Sequence, residues 1–140
     1  MLRNTPVVKL KHVVTFAKVD GAKVAFNGHY ALWNDAVFDE FIKCSTLRHA
    51  VRESALVRHA VHEYKSPLRY LDEVEIQMFI ESVNDRSFVV GYVGKKLEEE
   101  IYVSRLVYVS VDSQRKPVTI SSDLRRALLK TNANDFLAKL

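Results

Sequence analysis

The 140-residue sequence holds one cysteine, three prolines and four glycines, and none of its apolar runs approaches the ~18 residues of a membrane span. Each scarcity excludes something. The lone Cys44 closes no intrachain disulfide and no Cys/His pair has zinc-finger spacing, so neither a disulfide framework nor a structural zinc site is expected. Few Gly and Pro exclude collagen-like and low-complexity polymers. Lysines interrupt Val7-Val8-Lys9-Leu10-Lys11 before it reaches the length of a signal-peptide core, so the chain reads as cytoplasmic with no membrane partner. Hydrophobic residues at 48% and charged residues at 27% suit one compact domain over 1–140 rather than a disordered chain. The net charge of +4 suits an anionic partner. Its cations are nevertheless dispersed along the chain and its aromatics sit at core spacing, which speaks against nucleic acid as that partner.

Periodicity supplies the elements. Residues 7–19 alternate, with Leu10, His12, Val14 and Phe16 on one face, and read as a first strand closed by the Asp20-Gly21 turn. Tyr30, Trp33, Val37, Phe38, Phe41 and Ile42 then share one helical face, leaving Asn34, Asp35, Asp39, Glu40 and Lys43 on the other. A shorter helix is predicted at 46–55 and an alternating strand from Val57 to Tyr64. Further strands follow near 73–80, 87–93 and 101–111, with turns at Asn84-Asp85 and at Gly94–Leu97. Ser121-Ser122-Asp123 offers N-cap chemistry for a helix over 121–129, and another turn is expected at 134–140. The order is a strand, a long aromatic helix, then four strands in a meander: an α+β arrangement in which about five antiparallel strands wrap one helix, the hotdog fold.

The stretch from Phe16 to Tyr30 resembles the signature of the 4-hydroxybenzoyl-CoA thioesterase family. There a Phe or Tyr closes the first strand, an Asp follows four residues later, and a Tyr ten residues past the Asp opens the central helix. Phe16, Asp20 and Tyr30 keep that spacing. The likeness continues through Trp33 and Phe38–Cys44, through Tyr64-Lys65-Ser66-Pro67-Leu68-Arg69-Tyr70-Leu71-Asp72, similar to a family Tyr-x-x-Pro-Leu-x-Tyr-x-Asp turn, and through Arg86-Ser87-Phe88. It spans roughly residues 8–129. Lys23 departs from it, standing where many members carry Gly, and Lys18 replaces a second Asp that several carry.

The resemblance implies an acyl-CoA thioesterase that hydrolyses a CoA thioester to a carboxylic acid and free CoA, with no metal and no organic cofactor. Thioester hydrolysis needs a carboxylate to activate or replace the attacking water, and donors to hold the oxyanion. On this reading Asp20 is the general base or nucleophile, and the backbone N–H groups near Asn27, backed by the helix N-terminus, face the carbonyl oxygen. Tyr30 lies beside the substrate, and Arg86 matches a family position that holds the CoA phosphates. The alternatives are an enzyme for acyl groups carried on acyl carrier protein and a non-catalytic acyl-CoA-binding hotdog protein. A homodimer or homotetramer is expected, since one open sheet leaves its edges exposed. His59 and His62 lie three apart on a predicted strand, face opposite ways and make poor metal partners.

Overall fold

In the computed structural model, which describes residues 5–25 and 28–130, β1 (Val8–Val13) leads through the loop carrying Asp20 into α1 (Gly28–Cys44) and the short α2 (His49–Glu53). Four strands follow, β2 (Ala55–Tyr64), β3 (Glu73–Val83), β4 (Ser87–Lys96) and β5 (Glu99–Ser110), and then α3 (Ser122–Leu129). The strands form one antiparallel sheet in the order β1-β3-β4-β5-β2. The turn expected at 134–140 lies outside the described residues, as does Asn27. No described helix is long and apolar enough to cross a membrane.

Three expectations about the strands are corrected. The meander has three strands rather than four, because β2 pairs beyond β5 at the far edge, with Ala55 opposite Ser110 and Tyr64 opposite Tyr102. The helical connection α1–α2 takes the chain from one edge of the sheet to the other, and residues 65–72 bring it back. The first strand stops at Val13 instead of running to Val19. Its partner β3 begins at Glu73, and the last ladder-like bonds are Val14 N–H to Asp72 O at 2.8 Å and Leu71 N–H to Val14 O at 2.8 Å. With no partner strand beyond them, Phe16–Lys18 curl into a 3-10 turn and the Phe16 ring stands 74% exposed. Finally, β4 continues through Gly94 to Lys96, and the turn is the Leu97-Glu98 loop, with Leu97 at φ 55°.

Gly94 serves the strand rather than a turn. It lies directly opposite Tyr102, and a Cβ there would run into the Tyr102 ring.

The aromatic stripe of α1 is buried as its spacing predicts: Tyr30, Trp33, Val37, Phe38, Phe41 and Ile42 all pack inward. Phe38 stacks on Tyr108 at 4.7 Å between centroids and on Phe88 at 6.2 Å. Asn34, expected on the polar face, is fully buried. It lies one turn after Tyr30 and so faces the sheet, where the Tyr102 hydroxyl donates to its Oδ1 at 2.9 Å. That hydrogen bond offsets part of the desolvation of the amide. On the sheet, Ile76, Met78, Ile80, Phe88, Val90, Tyr92, Tyr102, Leu106 and Tyr108 complete the core.

The β2 edge is the exception. Val57, Val61 and Tyr64 are 48%, 52% and 46% exposed, although Val57 and Tyr64 share a face with the fully buried Tyr108 and Tyr102.

Candidate active site

The two segments that carry most of the resemblance meet in space at the N-terminal end of α1. Residues 19–25 close a small hairpin: Asp20 N–H donates to Val24 O at 3.0 Å, Lys23 N–H to Asp20 O at 2.9 Å, and Val19 bridges Ala25. Ala25 N–H then donates to Leu68 O at 2.7 Å, and the Val14 bonds to Leu71 and Asp72 tie the other end of the loop to the same turn. Leu68 is the buried anchor of that turn. Asp72 locks it, its carboxylate accepting from Arg69 N–H at 2.8 Å and pairing with Lys96 Nζ at 3.1 Å. Burial raises the Asp72 pKa, but the Arg69 amide and the Lys96 ammonium outweigh it and hold the carboxyl below its ordinary range.

Asp20 sits at the exposed tip. Its Oδ1 accepts from Ala22 N–H at 2.8 Å, an Asx turn that fixes the side chain's direction while the carboxylate stays solvent-accessible. Lys23, at the position where the resembled family has Gly, adopts φ 65° itself. The left-handed conformation costs a non-glycine residue about 1–2 kcal/mol, so the loop keeps its shape at the expense of local strain.

Behind the loop, α1 starts eight positions past Asp20, and its first turn carries the positive end of the helix dipole. Tyr30 holds that end against the sheet. Its ring is only 2% exposed, stacks on Tyr102 at 4.6 Å, and lies 5.4 Å from the half-exposed Tyr64. Burial, then the neighbouring Tyr64, raise the Tyr30 pKa, so its phenol stays protonated. Trp33 lies one turn on, stacked against His12 of β1 at 5.8 Å. Burial, followed by the charge of Lys18, lowers the His12 pKa and favours the neutral imidazole.

Arg86 is elsewhere. It follows the β3–β4 turn, exposed, with Nε 3.6 Å from Asp85 Oδ2. The Asp20 loop adjoins the Glu73 end of β3 and Arg86 the Val83 end, and β3 is 11 residues long, so roughly 33 Å of strand separates them at ~3.3 Å per residue. One chain therefore does not bring Asp20 and Arg86 together. A second cation stands at the Arg86 hairpin that sequence reasoning did not single out: Arg125 of α3 donates to Asn84 O at 2.8 Å and Asp85 O at 3.0 Å. The helix itself was legible, but no pattern in the sequence says which hairpin it packs against. Among the described residues, no three His, Cys, Asp or Glu side chains converge as metal ligands would.

His62, set aside in the sequence as a poor metal partner, gains a contact that the sequence did not announce. It points to the helix side of the sheet, and its Nδ1 lies 2.7 Å from the Oγ of the buried Ser104.

No family model and no curated protein matches the sequence. Solved structures do match in shape. The 1,4-dihydroxy-2-naphthoyl-CoA thioesterase of Synechocystis superposes with TM-score 0.80 at 15% identity, covering 87% of this chain and 95% of that one. A gentisyl-coenzyme A thioesterase gives 0.75 at 21% identity over 84% and 99% of the two chains. A mutant of 4-hydroxybenzoyl-CoA thioesterase complexed with 4-hydroxybenzoyl-CoA, in which asparagine replaces an aspartate, gives 0.76 at 16% identity over 86% and 97%. At such identities the likeness speaks to architecture: five antiparallel strands and one long buried helix in this order are the hotdog fold, and that is the fold of this chain.

Proposed function

We propose that the protein is an acyl-CoA thioesterase in which Asp20 attacks the thioester carbonyl or activates the water that does. The observation that carries the reading is the meeting of the Asp20 hairpin with the Leu68–Asp72 turn beside the start of a 17-residue helix. A carboxylate held by an Asx turn can supply the base, and a helix N-terminus close in sequence offers a positive dipole end for the oxyanion. The backbone near Asn27 takes the donor role in this reading. Tyr30 forms the aromatic wall behind the carbonyl, and Arg86 with Arg125 meets the phosphates of coenzyme A. Three of the similar solved structures are CoA thioesterases by name, which is consistent with it.

Because Asp20 and Arg86 lie at opposite ends of one sheet, the reading requires at least a dimer, with the phosphates of a substrate bound at one Asp20 held by another subunit's Arg86. The open β2 edge, with exposed Leu56 and Val61 on the face away from α1, supports such pairing.

The test is Asp20→Asn. Asparagine keeps the Oδ1 that accepts from Ala22 N–H, so the loop and the melting temperature stay near wild type, while basicity is lost. A positioned base is worth ~10²–10⁴-fold, so kcat on the best acyl-CoA falls at least about a hundredfold, against a few-fold for Asp39→Asn on the exposed face of α1. Turnover by Asp20→Asn close to that of wild type overturns the mechanism.

A further inference from the structure

The strip of sheet that α1 leaves open beside the candidate site is apolar except for one built polar contact. On the helix side of β2 the residues in order are Tyr64, His62, Ala60 and Val57, opposite Tyr102, Ser104, Leu106 and Tyr108 of β5. The β5 residues are buried under α1, whereas Tyr64, Ala60 and Val57 are exposed and His62 half-buried. The strip begins at the reacting end of the site, where Tyr30 of the first helical turn lies 5.4 Å from Tyr64. It then runs away from Asp20 along the strand.

His62 is the first side chain past Tyr64 on this strip, about 7 Å further at ~3.4 Å per residue. Two contacts orient its ring: it stacks with Tyr64 at 6.2 Å, and Nδ1 lies 2.7 Å from Ser104 Oγ. Ser104 is 1% exposed, so the partner that fixes the imidazole is itself held rigidly in the core. Nε2 is left without a protein partner among the described residues. If the Ser104 hydroxyl donates to Nδ1, Nε2–H donates outward; if Nδ1–H donates to Ser104, Nε2 accepts. Either way one aimed polar atom faces a strip otherwise lined with carbon and tyrosine rings. Burial lowers the His62 pKa, which keeps the ring neutral near neutral pH and able to play either part.

We infer that His62, oriented by Ser104, determines acyl-group specificity, selecting thioesters whose acyl group carries a hydroxyl or oxo group where it meets His62, about 7 Å past Tyr64 along the strip, over those with plain hydrocarbon there. The inference rests on the thioesterase reading and adds a substrate class to it. A saturated chain laid along the strip would strip water from Nε2 and give it no hydrogen bond in return, whereas a hydroxyl at that depth replaces the lost water.

The experiment compares kcat/KM for 6-hydroxyhexanoyl-CoA with hexanoyl-CoA, and for 4-hydroxyphenylacetyl-CoA with phenylacetyl-CoA, by free-thiol release. Wild type should prefer the hydroxylated member of at least one pair by about tenfold or more. His62→Phe keeps a ring to stack on Tyr64 and removes both nitrogens, so the preference should vanish or invert, mostly through the hydroxylated substrate. His62→Gln, which restores a donor and an acceptor, should recover part of it, and Ser104→Ala should reduce it by freeing the ring. Melting curves establish that each variant is folded. An unchanged preference in His62→Phe overturns the inference, as does wild-type preference for the plain member of both pairs, and either result leaves the thioesterase reading intact. If wild type releases thiol from no acyl-CoA, the thioesterase reading fails first and the inference falls with it.

Discussion

Replacing Gly94 with alanine tests whether the core near the candidate site depends on one missing Cβ. Gly94 faces Tyr102 across β4 and β5, and an added methyl would overlap the ring itself rather than the end of a flexible chain. The ring cannot swing away without loss. One face of it stacks on Tyr30 at 4.6 Å, and its hydroxyl is the hydrogen bond given to the buried Asn34, whose Nδ2 is already unpartnered. Overpacking of this kind costs about 1–3 kcal/mol, and stranding the Asn34 carbonyl about 1–3 kcal/mol more, so the expected loss is about 2–6 kcal/mol. For a domain of this size that corresponds to a drop in Tm of very roughly 6–18 °C. Denaturant unfolding at a fixed protein concentration measures it, with Gly21→Ala, where a Cβ meets nothing within 4 Å, as a control expected within about 0.5 kcal/mol of wild type. The double mutant Gly94→Ala/Tyr102→Ala should be less destabilised than the two single changes together, because removing the ring removes the clash. Additive losses, or a Gly94→Ala loss below about 0.5 kcal/mol, would refute the reasoning.

Arg86→Ala, alone and with Arg125→Ala, should raise KM for acyl-CoA while kcat changes little, since a phosphate contact far from the carbonyl contributes uniform binding; steady-state kinetics with an unchanged KM would place both arginines outside the site. Light scattering should give at least twice the 16.1 kDa of one chain at micromolar concentration, and Val61→Lys at the open β2 edge should shift the population toward one chain. Stability should fall as pH drops below about 6.5, because the folded state holds His12 and His62 neutral through burial, for His12 also through Lys18, while their unfolded counterparts bind protons; the loss accumulates between the unfolded pKa and the lower folded ones and then levels off. Denaturant midpoints from pH 8 to pH 5 for wild type and His12→Gln/His62→Gln report it, and equal slopes in both proteins would remove these residues as its source.

Where one element's own pattern decides its structure, the sequence was legible. The α1 stripe follows from a 3.6-residue period alone, and the β3–β4–β5 hairpins follow from alternation between short turns. The start of α3 follows from Ser121, whose Oγ accepts from Leu124 N–H at 3.2 Å. Lys23, where the resembled family carries Gly, takes a left-handed φ of 65° in this chain, while the meeting of its loop with the Leu68–Asp72 turn is a tertiary fact that the separate motifs did not announce.

What only the tertiary structure decided is which segments meet. Alternation says that Val57–Tyr64 is extended but not that it pairs with β5, because ladder hydrogen bonds come from backbone atoms that every residue shares. The first strand ends where its partner runs out, a boundary that nothing in Val14–Lys18 encodes. Gly94 reads as a turn until Tyr102 is found opposite it, and Asn34 reads as surface until the Tyr102 hydroxyl reaches it from 68 residues away. His62 looks like one of several scattered histidines until β5 places Ser104 beneath it. The separation of Asp20 from Arg86 is of the same kind. Each side chain's chemistry is written in the sequence, but the distance between them is set by the length and pairing of β3, and that distance is what makes the proposed site need a second subunit.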